Sequence, residues 1–195
     1  MRRSALRETI RELLAEAGGQ YPYTSLLGRL GKEKARGVNF HRLQDDRNNY
    51  RAGLSNDYIT PSVKMFEEIH RPPEQGGYGI NTVVTLNADH GGNEIGRYVK
   101  AAGLEHIYVP TGEKQPLSPE SWARVQEALE RGNTLVHCTH GADRTGAIVG
   151  RYYISSLGWD PVASLRHAEE FGGPKKEFPK TRLWLLTGQT SFEDQ

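Results

Sequence analysis

The run His137-Cys138-Thr139-His140-Gly141-Ala142-Asp143-Arg144-Thr145-Gly146 holds the chain's one cysteine, and an arginine follows it six residues later. Ahead of the run, residues 133–136 (Asn-Thr-Leu-Val) read as a short buried strand. Behind it, residues 147–154 read as an apolar helix. A strand, a tight loop and a helix N-terminus in that order make a cradle for an anion. Backbone N–H groups point into the loop, and the helix dipole adds partial positive charge.

The same arrangement suits a cysteine nucleophile. A thiol is mostly protonated at neutral pH, but a helix N-terminus and a nearby cation lower its pKa and expose the thiolate. Arg144 can place two N–H donors on two oxygens of a phosphoryl group, a fork that lysine lacks. Thr145 can donate its hydroxyl to the sulfur. The loop residues Thr139, His140, Gly141, Ala142, Asp143 and Arg144 would line the anion. Gly141 and Gly146 remove side chains where the loop turns and where the helix packs closely. His137 is expected to orient the loop and tune the thiolate from behind rather than act as a general base. His140 faces either the substrate or the solvent. No metal or other cofactor is needed for this chemistry.

His137, Cys138, Arg144 and Thr145 match, position by position, the signature of the cysteine-dependent protein tyrosine and dual-specificity phosphatases, and the chain resembles that superfamily. Residues 136–141 with Arg144-Thr145-Gly146 look like the RNA 5′-triphosphatase branch. Asp143-Arg144-Thr145-Gly146 looks instead like bacterial secreted phosphatases and the phosphoinositide-directed myotubularins. Tyr50-Arg51-Ala52-Gly53 and residues 82–86 are similar to the strands that open the domain in bacterial members. The resemblance covers residue 50 to the end and leaves the first fifty residues unmatched.

The leaving oxygen needs a proton, which contributes roughly two to four orders of magnitude in rate. Most members of the superfamily take it from an aspartate in a mobile loop after the strand preceding the catalytic one. Here that loop, residues 110–116, has Glu113 as its one carboxylate, between Gly112 and Pro116. The alternative is Asp143, which branches sharing Asp-Arg-Thr are proposed to use. A diphosphate leaving group would need no strong acid. The implied mechanism is a two-step displacement through a phosphocysteine, with positioning and electrostatics supplying most of the catalysis.

These residues must be held by a scaffold, and the rest of the chain alternates strand and helix patterns. Residues 49–54, 82–86 and 106–109 read as strands. Helices are expected after Thr60-Pro61, from Asn93 to Gly103, after Ser118-Pro119, after Asp160-Pro161, and over 178–186. Strands separated by helices imply right-handed crossovers. The expected fold class is α/β: a central, mostly parallel sheet flanked by helices on both faces, like a dual-specificity phosphatase. Residues 1–48 are expected as an N-terminal extension packed on a catalytic domain over 49–195. That extension starts with an amphipathic helix carrying Leu6, Ile10, Leu13 and Leu14, ended by Gly18-Gly19. His90 beside Gly91-Gly92 reads as a turn residue rather than a metal ligand.

Composition narrows the classes. The chain has 195 residues, with 25 Lys+Arg against 24 Asp+Glu, so there is no global basic field for nucleic acid or membrane surfaces. Attraction for a phosphorylated partner must be local, and Lys175, Lys176 and Lys180 form the one basic cluster near the motif. A single cysteine leaves no intramolecular disulfide and fits a reducing, cytoplasmic setting. No stretch reads as a membrane span or as a signal-peptide core. The first expectation is a protein tyrosine or dual-specificity phosphatase. The alternatives are a phosphatase of inositides or RNA 5′-triphosphate ends, with a small-molecule or lipid substrate in the former case, and a silent phosphate-binding module.

Overall fold

The computed structural model describes residues 39–54, 61–87, 92–112 and 114–189. The helix expected around Leu6 to Leu14, the start expected at Thr60, His90 and the loop carboxylate Glu113 lie outside the described residues. Among the described residues five strands form one sheet: β1 (His41–Arg42), β2 (Tyr50–Gly53), β3 (Thr82–Asn87), β4 (Glu105–Thr111) and β5 (Thr134–Cys138). Their order is β1-β2-β5-β3-β4. All pairs are parallel except β1, which lies antiparallel on β2. Parallel neighbours need crossovers. Among the described residues the chain builds six helices: α1 (Val63–His70), α2 (Gly92–Ala101), α3 (Pro119–Arg131), α4 (Asp143–Leu157), α5 (Pro161–Glu170) and α6 (Pro179–Thr187). This is the expected α/β architecture.

Helix starts follow side-chain capping chemistry. Ser118 Oγ accepts the Ser121 N–H at 3.2 Å, and Asp160 Oδ1 accepts the Ala163 N–H at 2.8 Å, each just ahead of a proline in the first turn. Two starts differ from expectation. Ser62 caps α1, its Oγ accepting the Met65 N–H at 3.3 Å, and the helix begins at Val63, so Pro61 is not its first residue. Helix α2 is described from Gly92, which places Asn93 inside it rather than ahead of it.

Strand alternation divides the core into two layers. Val84, Leu86, Val136 and Cys138 pack with Val125 and Leu129 of α3, Ile148 and Tyr152 of α4, and Trp184 of α6. Val83, Leu135, Tyr50 and Ala52 pack with Phe66 and Ile69 of α1 and Ile95 and Val99 of α2. Cys138 thus ends the central strand on the α4 side. Thr85 and His137, one residue out of phase with Val84 and Val136, belong to the α1–α2 side. The segment just before β2 is stitched to this sheet. Besides β1, Gln44 N–H donates to the Tyr153 hydroxyl at 2.8 Å, and Asn39 Nδ2 donates to the Gly141 carbonyl at 2.8 Å.

Candidate active site

The loop after β5 is seated on the backbone of β2. Gly53 pairs in register with Cys138, and the Leu54 N–H donates to the Cys138 carbonyl at 2.9 Å. A Cβ on Gly141 would lie 2.5 Å from Ala52 C and from Gly53 N, and one on Gly53 would lie 2.4 Å from His140 C. Main chain therefore touches main chain, and Gly141 also has φ +65°, a region that favours glycine. The loop cannot drift away from the sheet without opening this contact.

Cys138 sits at the loop's start, 3% exposed and in contact with the apolar layer beneath α4. Ala142 enters α4 with φ −102° and ψ −94° and gives it no side-chain cap. The Gly146 N–H returns to the Ala142 carbonyl at 2.6 Å, while the first-turn amides before it have no helical carbonyl to meet. Uncapped amides at a helix start suit an anion. Arg144 is buried in that first turn. Its Nη2 donates to Thr139 Oγ1 at 3.0 Å and its Nη1 to the Thr111 carbonyl at 3.3 Å. The guanidinium thus bridges the loop and the end of β4, where residues 112–116 begin. Thr145 is fully buried, and its hydroxyl has no hydrogen-bond partner among the described residues, so its proton remains for the neighbouring sulfur or an anion. His140 is exposed on the rim. Asp143 Oδ1 accepts the Lys175 N–H at 2.9 Å, and its Oδ2 lies 4.0 Å from Lys175 Nζ. That ties the carboxylate to the segment between α5 and α6.

His137 is fully buried and engages Thr85 Oγ1 through Nε2 at 2.8 Å. Burial drives its pKa down to about 3, against an opposing effect of the Cys138 backbone, so the ring is neutral at ordinary pH. The ring beside Cys138 is thus neutral and hydrogen-bonded through Nε2.

Sequence reasoning passed over Arg51 as a site residue. This guanidinium is 1% exposed, stacks 4.7 Å above the Phe171 ring and donates from Nη2 to the Gly141 carbonyl. Asn39 donates to the same carbonyl, so two side chains hold it away from the loop's interior. Burial lowers the Arg51 pKa to about 10, while charge on Cys138 and Tyr153 works in the other direction. Arg51 therefore keeps its charge at neutral pH and lies within electrostatic reach of the sulfur. The available signal was an arginine inside an otherwise buried four-residue strand. A buried charge is costly unless something nearby uses it.

No protein-family model matches the chain. Over 49 residues it is 39% identical to the dual specificity protein phosphatase TpbA of Pseudomonas aeruginosa, which is 25% of this chain and 22% of that protein. The match thus spans about a fifth of the relative's length. Among solved structures, P. aeruginosa TpbA superposes with a TM-score of 0.56 at 22% identity, covering 78% of this chain and 85% of that one. The core catalytic domain of the PP-IP phosphatase SIW14 from S. cerevisiae, in complex with citrate, gives 0.53 at 20% identity over 77% and 85%. PTPMT1 gives 0.57 at 19% identity over 76% and 92%. The seat of Cys138 at the end of the central strand, the Arg144 fork and these shared folds lead to one statement: the chain has the fold and carries the signature of the cysteine-dependent phosphatase superfamily.

Proposed function

We propose that the chain is a phosphoric monoester hydrolase working through a phosphocysteine, with phosphotyrosine or phosphoserine/threonine in proteins as its substrate class. The observation that carries this is Arg144 bonded back onto the loop at Thr139, on an uncapped helix start that follows Cys138. The likeness to a dual specificity phosphatase over 49 residues favours the protein substrate.

In the first step the Cys138 thiolate attacks phosphorus. The S–P bond forms as the P–O bond to the leaving group breaks, and the leaving oxygen takes a proton from Asp143. Arg144 and the first-turn amides of α4 hold the equatorial oxygens. Water then attacks the phosphocysteine and gives its proton to the Asp143 carboxylate, releasing phosphate and the thiolate. The Lys175 N–H fixes Asp143 through Oδ1, and Oδ2, 4.0 Å from Lys175 Nζ, is the oxygen that would carry the proton. Glu113, on the loop that begins at Thr111, is the alternative acid. Thr145 donates to the sulfur as it departs, and the buried charge of Arg51 favours the thiolate throughout.

One observation favours a second reading, a substrate with more than one phosphate. A groove of about 280 Å³ is lined by Lys175, Lys176, Arg182 and Glu169, the last paired with Arg182 at 2.6 Å, together with Gly172, Pro174 and Gly173, against which Asp143 packs. Hydrolysis of an aryl phosphate that is blocked by vanadate and survives chelators tests the reaction class. Cys138→Ser is expected to abolish turnover while calorimetry still detects phosphate binding, and turnover surviving in this variant ends the covalent mechanism. A panel of phosphopeptides against pyrophosphorylated inositols separates the two substrate readings.

A further inference from the structure

Gly141, with φ +65° and no side chain, leaves the peptide that joins it to Ala142 free to turn either way, so something outside the loop must choose. One orientation presents a carbonyl to a bound anion, and the other presents an N–H. A backbone carbonyl has two lone pairs, and two donors meet this one from outside the loop. Arg51 donates from Nη2, and Asn39 donates from Nδ2 at 2.8 Å. The peptide is trans, so its N–H points opposite to its C=O. The Ala142 N–H is thus turned into the loop, where no acceptor meets it among the described residues.

Asn39 suits this position by its backbone and by its side chain. Its φ of 47° is a left-handed conformation that asparagine tolerates better than most side chains. Its Nδ2 meets two carbonyls, Gly141 at 2.8 Å and Phe171 at 2.9 Å. Carbonyls only accept, so the atom between them is the NH2 group, with one N–H for each. Phe171 caps the end of α5, and its ring meets Arg51 at 4.7 Å and His41 of β1 at 4.7 Å. Asn39 therefore fixes both the carbonyl that Arg51 binds and the residue on which Arg51 lies. A carbonyl bound by a guanidinium and an amide also polarises its own peptide, which strengthens the N–H at the other end as a donor.

We propose that Asn39 is a positioning residue of the anion site, which with Arg51 turns the Gly141 carbonyl outward and so aims the Ala142 N–H at an oxygen of the bound phosphoryl group. Asn39 acts through the Gly141–Ala142 peptide rather than on the substrate. It lies ahead of the stretch that resembles the phosphatases, so the site draws on a segment outside that resemblance. Its effect on turnover rests on the phosphatase reading above, whereas its effect on phosphate binding does not.

The test uses the full chain with inorganic phosphate as the probe. In nitrogen-15-labelled, unaltered chain the Ala142 amide proton is expected to move downfield on saturation, as it takes up a hydrogen bond. In Asn39→Gly, which keeps the left-handed backbone and drops both donors, that movement is expected to shrink. Calorimetry is run in a Cys138→Ser background, where no sulfur charge opposes the anion. There Asn39→Gly is expected to weaken phosphate binding by about tenfold, the scale of one hydrogen bond to a charged group. With Cys138 in place, kcat/KM for an aryl phosphate is expected to fall by about tenfold. A role in stability alone would lower the urea midpoint and leave the Ala142 movement and the phosphate affinity as they were, and that result overturns the inference. Should Asn39→Gly fail to fold, the unaltered chain decides, since an Ala142 amide that phosphate does not move overturns it equally. An Ala142 response in a protein with no phosphatase turnover would sink the phosphatase reading and leave Asn39 its role. Turnover with a silent Ala142 amide would do the reverse.

Discussion

Arg144 and Arg51 are both buried, and both donate to the loop that follows Cys138, yet they are held in different ways. Arg144 stands on the first turn of α4 and reaches Thr139 Oγ1 and the Thr111 carbonyl. Arg51 comes from β2, lies on the Phe171 ring and holds the Gly141 carbonyl together with Asn39. The first is placed to fork an incoming anion. The second is a fixed charge that keeps a loop carbonyl turned away and favours a thiolate. On the proposed mechanism one arginine belongs to the reaction and the other to the architecture that permits it, so the two should fail differently when altered.

The largest contrast comes from Arg144→Lys, which keeps the charge and loses the fork. It is expected to lower kcat/KM for an aryl phosphate by about 10²–10³-fold, the scale of losing an aimed donor at a developing charge. The urea midpoint should stay nearly fixed, since an ammonium can still meet one of the two acceptors. A loss below about threefold would mean that the fork is not used on the substrate. Asp143→Asn, at the neighbouring position, comes next. It is expected to slow alkyl phosphates by about 10²-fold and aryl phosphates with acidic leaving groups by only a few-fold. Equal slowing of the two would move the acid to Glu113 or remove it from the mechanism.

The two arginines also mark where the sequence could be read and where it could not. Arg144 was legible because its spacing from Cys138 is a local property: strand, loop and helix start follow one another in the chain. The fold class was legible for a similar reason, since β-branched runs such as residues 82–86 alternate with capped helices, and Ser118 and Asp160 cap as expected. Arg51 was illegible because its meaning depends on strand order. Only when β2 pairs with β5 does an arginine in Tyr50-Arg51-Ala52-Gly53 arrive under Gly141. Strand β1 was missed because two residues carry no periodicity at all. The Thr139 hydroxyl accepts from Arg144, a direction that loop spacing cannot show.

Arg51→Met tests the architectural half of the comparison. The replacement keeps most of the volume and removes the charge, so stability should change by no more than about 2 kcal/mol, as for other buried charges exchanged for apolar side chains. The pH midpoint of Cys138 alkylation by iodoacetamide should rise, and kcat/KM should fall by about tenfold at neutral pH. Raising the pH should recover part of that loss, because the missing charge acts through the fraction of thiolate. Arg144→Lys should show no comparable recovery. If the two variants respond alike to pH, the division between a substrate-binding arginine and a loop-supporting one collapses.

The smallest effect sets Arg51 beside another fully buried base. Burial lowers the Arg51 pKa to about 10, which still leaves it charged at pH 7. Burial lowers the His137 pKa to about 3, which leaves it neutral. The unfolded histidine titrates near its ordinary value of 6.5. Between pH 6.5 and about 3 the unfolded chain therefore binds a proton that the native ring refuses. Stability from this group is complete above the unfolded pKa and is lost as pH falls below it, by up to about 1.4 kcal/mol per pH unit. His41, His106 and His167 are also lowered, chiefly by burial, and add in the same direction. Urea unfolding at pH 7 and pH 5 should show the unaltered chain losing about 2 kcal/mol more than His137→Asn, the contribution of one such proton. Equal losses would mean that the ring takes up its proton in the folded state. Thr85 would then face an imidazolium, and the buried positive charge behind the nucleophile would belong to two groups rather than to Arg51 alone.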